Sequence, residues 1–130
     1  MISLTDLEEL SIDRLEDAKA LHKAGRYDGA FYICGYALEL GLKKRICITL
    51  GWQGYPNTAK EFDSLKSFKI HNLDMLLHLS GFERLIKDKF WIEWSVVSSW
   101  DPEIRYSLKK QNAQDVKLML ENVEMLLGDL

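Results

Sequence analysis

Apolar positions along this 130-residue chain recur at helical spacing, and they are densest between Gly25 and Ile46. There the run Gly25-Arg26-Tyr27-Asp28-Gly29-Ala30-Phe31-Tyr32-Ile33-Cys34-Gly35-Tyr36-Ala37-Leu38 continues through Leu42 to Ile46, apolar around most of the helical circumference. Such a segment predicts the central rod of a bundle rather than a surface helix. Few polar side chains interrupt it, chiefly Glu39 and the basic cluster Lys43, Lys44 and Arg45. A carboxylate in the middle of an apolar rod is costly to desolvate unless it is paired or hydrogen-bonded, which singles out Glu39.

The other elements follow from the same pattern. A first helix opens near Thr5, with Thr5 and Glu8 at capping-box spacing, and carries Leu7, Leu10, Leu15, Ala18 and Leu21 as its apolar stripe. It ends at Ala24, where Gly25 is free to turn left-handed. The rod runs from about Arg26 or Tyr27 to Leu50 and stops at Gly51. A loop over 51–68 contains Gly51, Gly54, Pro56 and Asn57, with one helical turn around Lys60–Leu65. A short helix covers His71–Ser80 and closes at Gly81. Another spans Phe82–Ser98, with Leu85, Ile86, Phe90, Trp94 and Val97 on one side. The break at Trp100-Asp101-Pro102-Glu103 leads into Ile104-Arg105-Tyr106. The last helix opens near Asn112, with Asp115 three residues on, and packs through Val116, Met119, Leu120, Val123, Leu126 and Leu127 before Gly128. No stretch alternates with period two for long enough to read as a strand. The expectation is an all-α, up-and-down bundle of four to five helices forming one domain over 1–130.

Composition narrows the function classes. A hydrophobic share of 47% beside 28% charged residues is that of a folded globular chain, not a disordered one. Charges break every apolar run before the ~18–20 residues that a membrane span needs. Met1-Ile2-Ser3-Leu4-Thr5-Asp6 lacks the basic and apolar regions of a signal peptide, so a cytoplasmic location is expected. Cys34 and Cys47 lie thirteen residues apart on one helix, roughly 20 Å at the helical rise, too far to bridge. They read as two buried thiols in a reducing compartment. The net charge of −3 conceals an asymmetry: residues 41–110 hold twelve basic and eight acidic side chains, while both flanks are acidic. A mildly basic centre suits a phosphate-rich partner or is a set of scattered solvated charges, and a chain coating duplex DNA by charge alone is excluded.

Candidate chemistry is sparse. The histidines His22, His71 and His78 have neither HExxH nor Cys-x-x-Cys company, and no phosphate-binding glycine loop or nucleophile elbow occurs, so neither a metal nor a cofactor is expected. Glu39 and Lys43 stand i,i+4 in the favourable order, as an intrahelical ion pair or as part of a site. His71 follows the long loop directly; it either bonds a nearby carbonyl at the bundle mouth or serves as a proton shuttle or phosphate contact. Arg105 and Tyr106 set a guanidinium beside an aromatic ring, which suits phosphate or base recognition, or ties the loop to the bundle. Trp94 reads as core, whereas Trp91 lies well round the helix and reads as facing a partner.

Residues 20–40 resemble one tetratricopeptide unit, with its turn glycine, tyrosine and alanine. No second copy follows about 34 residues on, where a stacked repeat needs it. Over most of its length the chain resembles the HEPN family, the higher eukaryotes and prokaryotes nucleotide-binding domain. The likeness rests on Gly25-Arg26-Tyr27-Asp28-Gly29-Ala30-Phe31-Tyr32, on Gly35-Tyr36-Ala37-Leu38-Glu39-Leu40-Gly41-Leu42-Lys43, on Ile70-His71-Asn72-Leu73, and on Arg105-Tyr106, in that order. It implies a prokaryotic helical bundle that pairs as a homodimer, binds a nucleotide or RNA, and often stands beside a minimal nucleotidyltransferase partner in a toxin–antitoxin pair. Some members are metal-independent ribonucleases with an Arg-x4-6-His motif. This chain departs from it: no arginine precedes a histidine at that spacing, and the basic residue five before His71 is Lys66. The expectation is therefore a binding module rather than an enzyme, with Tyr27, Asp28, Glu39, Lys43, His71, Arg105 and Tyr106 as ligand-binding candidates. The alternatives are a metal-independent ribonuclease using His71 and Arg105 as catalytic residues, and a tetratricopeptide-like protein-interaction domain.

Overall fold

The computed structural model describes residues 1–108 and 110–130. Among these, seven α-helices make up most of the chain: α1 (Leu4–Lys23), α2 (Tyr27–Leu50), α3 (Ala59–Phe62), α4 (Leu73–Ser80), α5 (Glu83–Lys89), α6 (Trp91–Val97) and α7 (Ala113–Leu127). The fold is an all-α bundle with α2 at its centre. Fully buried Ala30, Cys34, Ala37, Leu38, Leu42 and Ile46 run the length of that helix, and α1, α4 and α7 pack against it. Gly25, Gly51 and Gly81 end α1, α2 and α4 with φ of 76°, 70° and 78°, a region where a side chain is strained.

Two small glycines let neighbours approach the rod closely. Gly35 faces the indole of Trp100, and Gly41 faces the end of Leu127. Beside Gly41, the buried Ser11 hydroxyl of α1 donates to the Ala37 carbonyl at 2.9 Å, so the one buried hydroxyl of that helix is satisfied on α2. Cys34 and Cys47 are both free and buried.

The structure corrects three boundaries. The first helix is capped by Ser3, not Thr5: the Ser3 hydroxyl accepts the Asp6 N–H at 3.1 Å. Ser3 stays extended because it also belongs to a two-residue strand, β1 (Ile2–Ser3), antiparallel to β2 (Gly54–Tyr55). A pairing this short leaves no readable period in the sequence. The segment 82–98 is two helices divided at Phe90, whose φ −127° and ψ 38° leave the helical region. Ile86, Phe90, Trp94 and Val97 are buried as expected, but Leu85 turns outward. Finally, α4 starts at Leu73 because Asn72 is its cap, accepting the Met75 N–H at 3.0 Å. His71 therefore precedes the helix, at the end of the returning loop.

Candidate functional site

On α2, Tyr32, Tyr36, Glu39 and Lys43 are spaced 4, 3 and 4 residues apart, so they form a single stripe along one face of the rod. At its deep end Glu39 is only 2% exposed. One carboxylate oxygen, Oε2, accepts from Lys43 Nζ at 3.0 Å and the other, Oε1, from His71 Nδ1 at 3.0 Å. The ion pair with Lys43 is itself largely sheltered, which supplies the compensation that a buried carboxylate requires.

A carboxylate only accepts, so His71 donates through Nδ1. Its Nε2 lies across a ring whose side chain is 57% exposed. The arrangement is a carboxylate–imidazole pair: the buried member fixes the ring and the exposed member faces outward, the second-group logic by which a base or binding imidazole is oriented.

At the other end of the stripe the Tyr32 hydroxyl donates to the Tyr36 hydroxyl at 3.3 Å, and Arg105 Nη1 donates to Tyr32 at 3.4 Å. Once ionised, the Tyr32 oxygen would accept from Tyr36 first and then from Arg105, which holds the Tyr32 phenol below its ordinary ionisation range. Tyr36 moves the opposite way, pushed up to about 12 by burial first, then by its bond to Tyr32 and by the nearby Glu39 charge. Arg105 reaches Tyr32 because Trp100 anchors the preceding turn, its Nε1 donating to the Tyr32 carbonyl at 3.2 Å. The Arg105 guanidinium also stacks 4.7 Å above the exposed Tyr106 ring. Among the described residues no carboxylate forms an ion pair with Arg105.

The remaining candidates sit at the start of α2. Asp28 accepts the Gln111 N–H at 2.7 Å and Lys110 Nζ at 3.1 Å. The Gln111 amide first and Lys110 second keep its carboxyl below the usual range. Asp28, Tyr32, Arg105, Ser107, Lys110 and Gln111 surround a hollow of about 360 Å³. The Tyr27 ring turns from it toward the His22 ring, 5.5 Å away, and lines an adjoining hollow of about 400 Å³ with Arg26 and Lys110.

Of the residues expected from sequence, Glu39, Lys43 and His71 thus meet directly. Arg105 and Tyr106 stand at the far end of the same stripe, and Asp28 and Tyr27 lie at its margin. Tyr32, Tyr36, Tyr55 and Trp100 complete the arrangement without having been expected. The helical spacing of Tyr32 and Tyr36 to Glu39 was a usable signal; nothing in sequence linked Tyr55 or Trp100 to the site. Among the described residues no group of three or more His, Cys, Asp or Glu side chains is placed to hold a metal ion, and no helix is long and apolar enough to cross a membrane. No family model, no curated protein and no solved structure matches this chain.

Proposed function

We propose that the chain is a HEPN-like binding module that holds a phosphate-bearing ligand, a nucleotide or a single-stranded RNA, along the α2 stripe. The observation that carries this reading is Arg105: a guanidinium stacked on one tyrosine, bonded to the hydroxyl of another, and lacking a carboxylate partner among the described residues. A phenol is a weak partner for a guanidinium, and a phosphate oxygen that accepts a charge-assisted bond displaces it readily. The exposed Tyr106 ring offers a face for a base beside that cation. His71, fixed by Glu39, supplies a second donor or acceptor along the same face.

The likeness of Gly25–Tyr32, Gly35–Lys43, Ile70–Leu73 and Arg105-Tyr106 to the HEPN pattern supports this reading, and with it a homodimer and a partner of the minimal nucleotidyltransferase class. Trp91, 61% exposed, and Ile92, 74% exposed, supply an apolar face on α6 for the two-fold contact. A ligand that binds only the native chain raises its melting temperature, and the rise continues with the logarithm of ligand concentration above the dissociation constant. Titration with AMP and with a short single-stranded RNA is expected to raise it, and Arg105→Ala to abolish the shift while leaving the unliganded midpoint unchanged. A wild-type chain whose midpoint moves with neither ligand overturns the proposal.

The largely exposed His71 side chain, held by Glu39 through Nδ1, favours one second reading, a metal-independent ribonuclease with His71 as acid–base and Arg105 as phosphate clamp. Cleavage of structured RNA in EDTA that disappears in His71→Ala is its signature.

A further inference from the structure

We infer that Tyr55 is a positioning residue that sets His71 against Glu39 from the far side of the loop. This rests on the reading above, in which His71 serves the ligand site. His71 belongs to no helix; it ends a segment that returns from β2 to α4. Two fixed points bracket it. After it comes Leu73, 1% exposed in the core. Before it comes the Phe68 carbonyl, which accepts the Tyr55 hydroxyl at 2.5 Å. Only three peptide units separate that carbonyl from His71, so the bond limits where the imidazole can stand.

The same tyrosine reaches the carboxylate by a second arm. Lys43 Nζ lies 5.1 Å from the centroid of the Tyr55 ring while bonding Glu39 Oε2 at 3.0 Å. The hydroxyl therefore places the imidazole and the ring face places the ammonium, and Glu39 accepts from both.

Tyr55 is itself held rigidly. It has no exposed surface, its backbone pairs with Ile2, and the Trp52 and Phe68 rings lie 6.3 and 6.5 Å away. Burial, with smaller effects from Cys47 and Glu39, raises its phenol well above the ordinary range, so the hydroxyl stays a donor. A purely packing role would be met by phenylalanine; the hydroxyl has its partner on the one segment that carries His71.

The test reads the His71 ring rather than stability alone. In the full chain, at a pH where imidazoles are neutral, nitrogen NMR is expected to show His71 with its proton on Nδ1, facing Glu39. Free imidazole side chains favour the proton on Nε2. Tyr55→Phe should lower the Nδ1–H population at least roughly twofold. One glycine inserted between Lys69 and Ile70 keeps Tyr55 and its bond yet slackens the register, and should do the same. Thermal unfolding of each variant reports that it is folded. A folded Tyr55→Phe with the wild-type Nδ1 signature overturns the inference, as does an insertion variant that retains it. Failure of AMP and RNA to bind the wild type would instead sink the proposed function while leaving the ring signature readable.

Discussion

Gly35 lies so close to the Trp100 indole that a methyl group placed on it would stand 2.0 Å from the ring. The glycine makes a notch in the central helix, and the indole fills it, 3% exposed and bonded to the Tyr32 carbonyl. This contact docks the turn that presents Arg105. Gly35→Ala should cost about 3 kcal/mol, since the clash is with a buried, rigid ring. Gly41→Ala crowds the end of Leu127, a half-buried side chain that can rotate, and meets the Ser11 hydroxyl at an ordinary 3.6 Å. There the loss should be about 1 kcal/mol or less, because alanine also favours the helix. Urea unfolding of both variants checks the order; equal costs would show that Trp100 moves aside as easily as Leu127.

Much of the bundle could be read from the chain because its signals are local. The stop glycines at 25, 51 and 81, the Asn112 cap whose side chain accepts the Asp115 N–H at 2.8 Å, and the all-round apolar character of 27–50 each act within a few residues. The Glu39–Lys43 pair was legible for the same reason, as one helical turn. Its third member was not. His71 meets Glu39 across 32 positions, and that meeting depends on how the 51–72 loop returns. Sequence periodicity carries no information on such a path. Ser3 shows the same limit: its capping role depends on the strand it forms with Gly54, 51 positions away. The spacing of Tyr32 and Tyr36 puts them on the face of Glu39, but their hydroxyls gain a role only from Arg105, which meets Tyr32 across 73 positions.

The buried carboxylate makes an asymmetric prediction. Lys43→Met would leave Glu39 charged and sheltered with only the exposed His71 as a partner, and should cost about 3 kcal/mol or more. Glu39→Gln removes the charge and keeps a polar group able to accept from one neighbour, so its cost should be smaller, about 1–2 kcal/mol. In the proposed function Glu39→Gln also weakens ligand binding, because the imidazole loses its orienting acceptor. Denaturation midpoints and the ligand-induced shift in melting temperature, measured together, separate the two effects. Unchanged stability and unchanged binding in Glu39→Gln would mean that the carboxylate neither supports the fold nor orients the ring.

The α6 face bearing Trp91 and Ile92 predicts association. Two neighbouring large apolar side chains, both mostly exposed, are worth more buried against a second copy than in water. Light scattering at micromolar concentration should give twice the 15.1 kDa chain mass. Trp91→Glu should return it to the monomer with little change in helicity. A monomeric wild type at that concentration would remove the two-fold contact from the proposed function.

Alkaline pH should unfold the chain earlier than its charge balance suggests. Burial raises the Cys34 thiol from 9.0 to about 12 and the Cys47 thiol from 9.0 to about 11, and Tyr36 likewise rises from 10.0 to about 12. In the unfolded chain these groups lose their protons near their ordinary values, whereas the folded chain retains them. Over the interval from about pH 9 to 12 the unfolded state binds fewer protons, so stability falls as pH rises. Their contribution is fully present below about pH 9. Above it, each group ionised only in the unfolded chain removes about 1.4 kcal/mol per pH unit. Chemical denaturation at neutral and alkaline pH should show this slope. Replacing Cys34 by alanine leaves a small cavity and costs stability at pH 7, but the variant also loses one of the ionising groups. Its deficit relative to the wild type should therefore shrink between pH 9 and 11. A thiol reagent at pH 8 should leave both cysteines unmodified in the native chain and label both in denaturant. A deficit that stays constant with pH, or rapid labelling of Cys34 in the folded chain, would show that the thiol ionises as freely inside the bundle as outside it.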